Sequence, residues 1–396
     1  MANTLKFGNG QWATKVGSTL AYNDENDNFK PLPFNFTRAS SATRVNKDGL
    51  IEVVTNNKPR IDFLNDSNGA LLLEPARTNS LLQSNQFNTT WITTNASVTS
   101  GQAGYDGTNN AWELTSSLSG GNIFQTNTQS GLQTFSVYAK GSVSNGIRVY
   151  AFGDVNANVY FNLNLGTIGV ILGSGVTAKI EAVGGGWYRC SITFDQTNTT
   201  LRFYPSDNAN AMAAGTIYIQ NAQIEAGSYA TSYIPTQGAT ATRVAEVCTQ
   251  TPPSGIIGQT EGTILLDFEF IAPDGVKVLF NLDGNANNKR IEFWMNGYVL
   301  NGFIGGSVNI PIGNITITEG RYKAAIAYNE LGNQAFYVNG VQIGISTTPY
   351  TISNLDNLRF NVWNGSSNLK TSIKTKDIKL YNTRLSNTEL QQLTTL

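Results

Sequence analysis

The sequence predicts an all-β protein built from antiparallel sandwiches or barrels. Three observations carry that reading. Short runs rich in Val, Ile, Phe, Tyr and Thr alternate apolar and polar residues with period two. Gly, Asn, Ser and Thr punctuate these runs throughout the 396 residues. Long apolar stripes of helical period are almost absent.

The elements are clearest in the last third. Thr263–Phe270 (TILLDFEF) places Ile264, Leu266, Phe268 and Phe270 on one face and Asp267 and Glu269 on the other. Phe293–Met295 and Tyr298–Leu300 flank Asn296-Gly297, and Phe336–Val338 and Val341–Ile343 flank Asn339-Gly340. Asn-Gly between apolar runs is a strong hairpin signal, because both residues tolerate the positive φ of a type I′ turn. Arg321–Tyr328 and Ile378–Tyr381 read as further strands. Ser386 to Glu389 has the spacing of a capping box, and Leu385, Leu390 and Leu393 form a short stripe, so one small C-terminal helix is expected. The middle third carries a second series: Thr134–Lys140, Ile147–Phe152, Val159–Leu165, Ala178–Val183, Trp187–Phe194, Leu201–Tyr204 and Thr216–Glu225. Between the two series, Cys248–Gly258 contains Pro252-Pro253 and glycines that break regular pairing. In the first 82 residues, Phe36–Val45, Gly49–Val54, Pro59–Phe63 and Gly69–Asn79 read as short strands and turns. A segment of that size is small for a core of its own and is expected to pack on a neighbour.

Composition removes several function classes. Lys and Arg number 26, Asp and Glu 27, and charged residues are 13% of the chain, against about 25% on average. There is no histidine, so no His-based triad, His metal cluster or His pH switch exists. A near-neutral, charge-poor chain has no electrostatic footprint for nucleic acid. The two cysteines, Cys190 and Cys248, are too few for a disulfide framework or a structural zinc site, and both read as buried or incidental thiols. The first residues lack the apolar core of a secretory signal, and no run approaches a membrane span of about 18 apolar residues, so no membrane insertion is expected.

The segments carry resemblances. EGTILLDFEF, RYKAAIAYNELGNQAFYVNGVQIG and DIKLYNTRLSNTELQQL, in that order, resemble a laminin-G-like, concanavalin A-like sandwich. GGWYRCSITF and IYIQNAQIEAGSYATSYIPTQGATATRVAEV resemble the jelly-roll, carbohydrate-binding-module-like domains of bacteriophage virion proteins. FTRASSATRVNKDGLIEVV, KPRIDF and ALLLEPARTNSLLQSNQF resemble an N-terminal segment recurrent in phage structural proteins. These resemblances imply four parts: residues 1–82 as an attachment or oligomerisation module, 83–247 as a jelly-roll, 248–258 as a linker, and 259–396 as the concanavalin A-like domain. They imply a non-enzymatic structural protein on the exterior of a phage particle: a head fibre, capsid decoration or tail fibre. Its partners would be other virion proteins, further copies of itself with a trimer favoured, and surface glycans or host proteins. Fold alone does not fix function.

Catalytic constellations are sparse. No G-x-S-x-G elbow or phosphate-cradling glycine loop occurs. A virion-borne glycan depolymerase is the enzymatic alternative, and it needs two carboxylates about 5 to 9 Å apart. The nearest approximation is Asp267 with Glu269, which otherwise reads as a solvated strand face. No cofactor is implied, and no motif supports a structural calcium. The runs starting at Asp24 and at Asp283 lack the sixth-position Gly, and their twelfth residues are Asn35 and Trp294.

Strand parity supplies the candidate binding residues. Ile291 and Phe293 share one face, leaving Trp294 with Glu292 and Asn296 on the polar face, and Tyr298 follows across the turn. In Arg359–Trp363, Phe360 and Val362 share a face, leaving Trp363 with Arg359 and Asn361 on the polar face. A large aromatic on a polar face is informative. Trp294, Asn296, Tyr298, Asn361 and Trp363 are therefore the candidate ligand-binding set.

Overall fold

The computed structural model describes residues 4–396 except 9, 16, 26–27, 208–209, 253–254, 273–274, 285–288, 353 and 361–371. The protein is all-β, as expected. Every described strand pairing is antiparallel, and one helix, Asn387–Thr394, lies near the C-terminus. The chain divides into two compact units. One holds residues 1–41, 54–76 and 244–396, and the other holds 42–53 and 77–243.

The first unit is a two-sheet sandwich. One sheet centres on Glu261–Phe270, paired with Gly320–Asn329 on one side and Ile373–Tyr381 on the other. The second runs from Ala13–Lys15 at one edge to Asn309–Thr316 at the other. Alternation decides what lies between them. Ile264, Leu266, Phe268 and Phe270 from the first sheet meet Phe280, Leu282, Phe293 and Phe360 from the second in one continuous buried cluster. The helix begins with the expected capping box: the Ser386 hydroxyl oxygen accepts from the Glu389 N–H, and the Glu389 carboxylate accepts from the Ser386 N–H. It seats Leu390, with Leu385 and Leu393, on Leu265, Ala325 and Ala335.

The second unit is also a sandwich, of two six-stranded sheets. Phe135, Val137 and Ile192 from one sheet face Ile123, Val149 and Phe203 from the other. Phe203 stacks between Trp91 and Phe135, with ring centroids 5.5 and 4.9 Å away.

The division differs from the boundaries expected at residues 82, 247 and 258. Residues 1–82 do not form a body of their own. Arg60–Asp62 and Ala70–Leu73 extend the first unit's one sheet beside Ile373–Tyr381, and Asn28–Thr37 joins its other sheet. Phe34, Phe36, Ile61, Leu71 and Leu73 are buried in the same cluster as Phe268 and Phe280. The physical reason is the one that made a separate core implausible: too little apolar area in a short segment, satisfied by pairing with sequence-distant strands. The hairpin Ala42–Val45 and Ile51–Val54 departs for the second unit. The expected linker is also corrected at its start. Val247–Gln250 is a strand between Asn28–Thr37 and Asn357–Phe360, and Cys248 is fully buried there.

Both hairpin signals were correct, with one change of turn type. At Val338 to Val341, Asn339 and Gly340 have φ of 48° and 79°, the type I′ pattern. At the other hairpin Asn296 pairs with Val299, so the loop is Gly297-Tyr298, shifted by one residue. Gly297 alone has positive φ, 57°, which fits type II′.

Candidate ligand-binding face

In the second unit, three neighbouring strands share one parity. Gly146–Gly153 buries Ile147, Val149 and Ala151 and turns Arg148, Tyr150 and Phe152 away from the core. Asn198–Ser206 buries Leu201 and Phe203 and turns out Arg202 and Tyr204. Ala157–Asn162 buries Val159 and Phe161 and turns out Asn158 and Tyr160. Antiparallel register aligns these side chains in rows. Phe124, Arg202, Tyr150 and Asn158 stand opposite one another in sequence across four strands, and Tyr204, Arg148 and Tyr160 form the next row.

The rows make an aromatic face with two guanidinium groups set into it. The Arg148 guanidinium lies 4.4, 5.0 and 5.4 Å from the ring centroids of Tyr150, Tyr204 and Tyr160. That of Arg202 lies 5.1 Å from Phe124 and 5.3 Å from Phe152. Hydrogen bonds fix the cations: Arg148 Nε donates to Asn158 Oδ1 at 3.2 Å, and Arg202 Nε to Thr200 Oγ1 at 2.8 Å. The Tyr150 hydroxyl donates to Asn156 Oδ1 at 2.8 Å. Burial raises the Tyr150 pKa, against the opposing pull of Arg148, so its hydroxyl stays a neutral donor. Tyr204 and Tyr160 are buried, whereas Phe152 at the margin is 40% exposed. Neither arginine has a carboxylate partner among the described residues; their polar contacts are amide, hydroxyl and thioether groups. The face can stack an apolar ring surface and donate to an anion or hydroxyl.

This face was missed at the level of sequence, although the signal was present. The parity test applied to Trp294 also marks RVYAF, where Arg148, Tyr150 and Phe152 alternate with small or apolar residues.

The residues singled out by sequence lie in the first unit. Trp294 is half-buried on the outer face of Arg290–Asn296, opposite Val278 and Asn301. Asn296 is exposed beside the turn, and Tyr298 is 45% exposed, edge-on to Phe270 at 6.1 Å. These three share one end of a hairpin. Asn361 and Trp363 lie outside the described residues. The Asp24 and Asp283 runs both cross undescribed positions, and among the described residues no group of three or more acidic or thiol ligands forms.

The carboxylate reading changes. Asp267 is not solvated: it is buried on a central strand, held by Arg321 at 2.9 and 2.6 Å, and paired in register with Asp377. On the other sheet's outer face, Glu292 pairs with Arg290 at 2.9 Å, and Asp283 with Arg359 at 2.9 Å. Burial pushes both carboxyls above their usual range, outweighing those arginines, and Glu292 Oε2 is buried without a hydrogen-bond partner. An acid whose folded pKa is raised stabilises the fold in its protonated form, and that contribution is lost as pH rises through the folded value. Glu292→Gln should therefore raise the thermal midpoint at neutral pH and flatten the loss of stability as pH climbs out of the carboxylate range. A lowered midpoint would mean that the pair with Arg290 outweighs the burial.

No protein-family model matches the chain, and no curated protein matches it. Solved structures match over about a third of its length. The CBM40 module of a Ruminococcus gnavus IT-sialidase is 12% identical over 35% of this chain and 85% of that one, at a TM-score of 0.31. The leech intramolecular trans-sialidase is 17% identical over 35% of this chain and 23% of that one, at 0.30. A botulinum neurotoxin type C structure, titled for cell entry dependent on two ganglioside molecules, is 12% identical over 38% and 39%, at 0.32. Scores of that size transfer neither ligand nor activity, so the chemistry rests on the residues themselves. Among the described residues no helix is long and apolar enough to cross a membrane.

Proposed function

We propose that the protein is a non-enzymatic glycan-binding protein displayed on a bacteriophage particle, and that the aromatic face takes an acidic glycan. One observation carries the ligand class. In a chain with few charges, Arg148 and Arg202 are set among aromatic rings with no carboxylate partner among the described residues. A guanidinium held this way is preorganised for a carboxylate, and the rings beside it suit the apolar side of a sugar. The virion reading is supported by the resemblance of residues 36–82 and 187–247 to phage structural segments. In this reading the protein assembles as a homo-oligomer, with a trimer favoured, and contacts other virion proteins. The hairpin bearing Trp294, Asn296 and Tyr298 would supply a second outward contact.

The test is a glycan array probed with the full chain, with affinities then measured at two salt concentrations. Acidic glycans should bind better than neutral ones, and more weakly at high salt. Phe152→Ala should weaken binding about tenfold, or about 1.4 kcal/mol, with folding intact. Arg202→Met should remove the preference for acid, while Trp294→Ala tests the second outward contact. Equal binding by wild type, Phe152→Ala and Arg202→Met would refute the assignment. New reducing ends released from a bound polysaccharide would refute the non-enzymatic part. Antibody labelling of intact particles in the electron microscope tests the location.

A further inference from the structure

A second site lies elsewhere in the same unit and has opposite chemistry. A cleft of about 220 Å³ is lined by Glu52, Asp106, Asn85, Asn110, Asn221 and Tyr233, with apolar Ile51, Val53 and Pro235 beside them. That is room for a ligand of several heavy atoms.

Its floor comes from a fault in a strand. Along Gly215–Ala226 the pairing with Leu132–Gly141 slips by one residue between Gln223 and Gln220. Asn221 sits in this bulge with a left-handed φ of 56°. Its N–H donates to Asn85 Oδ1 at 3.0 Å. The residue is 5% exposed, yet its side-chain amide makes no hydrogen bond to a described residue and is turned to the cleft.

Hydrogen bonds tie the walls together. Asp106 accepts from the Thr108 N–H and hydroxyl and from Asn110 Nδ2. Gln220 bridges the Tyr105 N–H and Asn110. Gly104 lets these side chains close in, because a Cβ there would lie 2.8 to 2.9 Å from the side-chain ends of Asp106, Asn110 and Gln220. The Tyr233 hydroxyl is 2.6 Å from that of Ser84. Opposite, Thr43 Oγ1 donates to the Tyr233 carbonyl at 2.7 Å and anchors the hairpin that brings Glu52. Arg44 meets Glu52 at 2.7 Å, but no cation lines the cleft.

We propose that this cleft binds one neutral saccharide residue. Glu52 and Asp106 supply acceptors for hydroxyl donors, and the Asn221 amide supplies both a donor and an acceptor to one vicinal pair. Ile51, Val53 and Pro235 meet the ring's apolar side. An anion would face two carboxylates with no lining cation. The inference does not depend on the aromatic face, and the two fail separately.

The experiment is saturation-transfer NMR on the full chain with millimolar methyl glucopyranoside, galactopyranoside and mannopyranoside. At least one should give a signal. Asn221→Gly suits the left-handed backbone and removes the side chain with its amide, so it should abolish that signal with the fold retained. Glu52→Gln, on a partly exposed side chain, should weaken it about tenfold, and Leu165→Ala, on an exposed residue outside both sites, should leave it unchanged. The proposal falls if no glycoside binds the wild type, or if Asn221→Gly and Glu52→Gln bind as the wild type does. It also falls if Phe152→Ala alone abolishes the signal. Calcium binding by calorimetry that is lost in Glu52→Gln would replace it with a cation site.

Discussion

Glu246→Ala should destabilise the first unit by about 3 to 5 kcal/mol, the usual cost of leaving buried charges uncompensated. The Glu246 side chain is fully buried. It accepts from Arg38 Nη1 and Arg60 Nε, each at 2.7 Å, from Arg60 Nη2, and from the Glu74 N–H at 2.9 Å. Arg60 Nη1 continues to Glu74 Oε2 at 2.7 Å. Arg38 spends its remaining donors on the carbonyls of Ser40, Val54, Thr55 and Lys58. Two guanidiniums and two carboxylates thus balance in a dry site. Burial alone would lower the Arg60 pKa, but Glu246 and Glu74 outweigh it and raise it. Alanine leaves both arginines buried with Glu74 as the remaining acid of the four. Glu246→Gln keeps the shape and should cost less. Urea unfolding followed by circular dichroism reads the difference. A shift below about 1 kcal/mol would show that water reaches the cluster and solvates the arginines.

Phe203→Ala should cost about 3 to 5 kcal/mol through lost apolar burial and the cavity left behind. The ring is fully buried and stacked on both Trp91 and Phe135, at interplanar angles of 26° and 23°. Both neighbours are themselves buried in the same core, so neither can collapse into the gap without losing its own packing. Phe203→Leu should cost markedly less. Hydrogen exchange along Asn198–Ser206 and the urea midpoint provide the measurement. A loss under about 2 kcal/mol would mean that the core repacks.

Much of the fold was legible because period-two alternation is local. Thr263–Phe270 and Trp187–Phe194 announce both their strands and their buried faces, and Ser386 to Glu389 announces the helix start. The domain boundaries were not legible, because pairing partners are not encoded within a strand. Arg60–Asp62 contacts Ala70–Leu73, and that strand meets Ile373–Tyr381 some 300 residues away in sequence. The segment from residue 36 to 82 shows the same limit. Its Arg38, Arg60 and Glu74 gave no chemical signal as separate residues, and they become one cluster only when Glu246 reaches them.

The sites divide likewise. Which face Trp294 occupies, and which Tyr150 occupies, follows from parity alone. That Arg148 and Arg202 stand among aromatic rings needs the register across four strands. The cleft needs more: a one-residue bulge at Asn221, a glycine-bearing turn and a hairpin from early in the chain. Sequence by itself determined the β class, the faces of single strands, the capped helix and the exclusion of histidine chemistry, since each is a property of composition or of neighbours in the chain. Tertiary structure alone decided the two units, the ion cluster and both candidate surfaces, because each joins side chains that only long-range antiparallel pairing brings within a few ångströms.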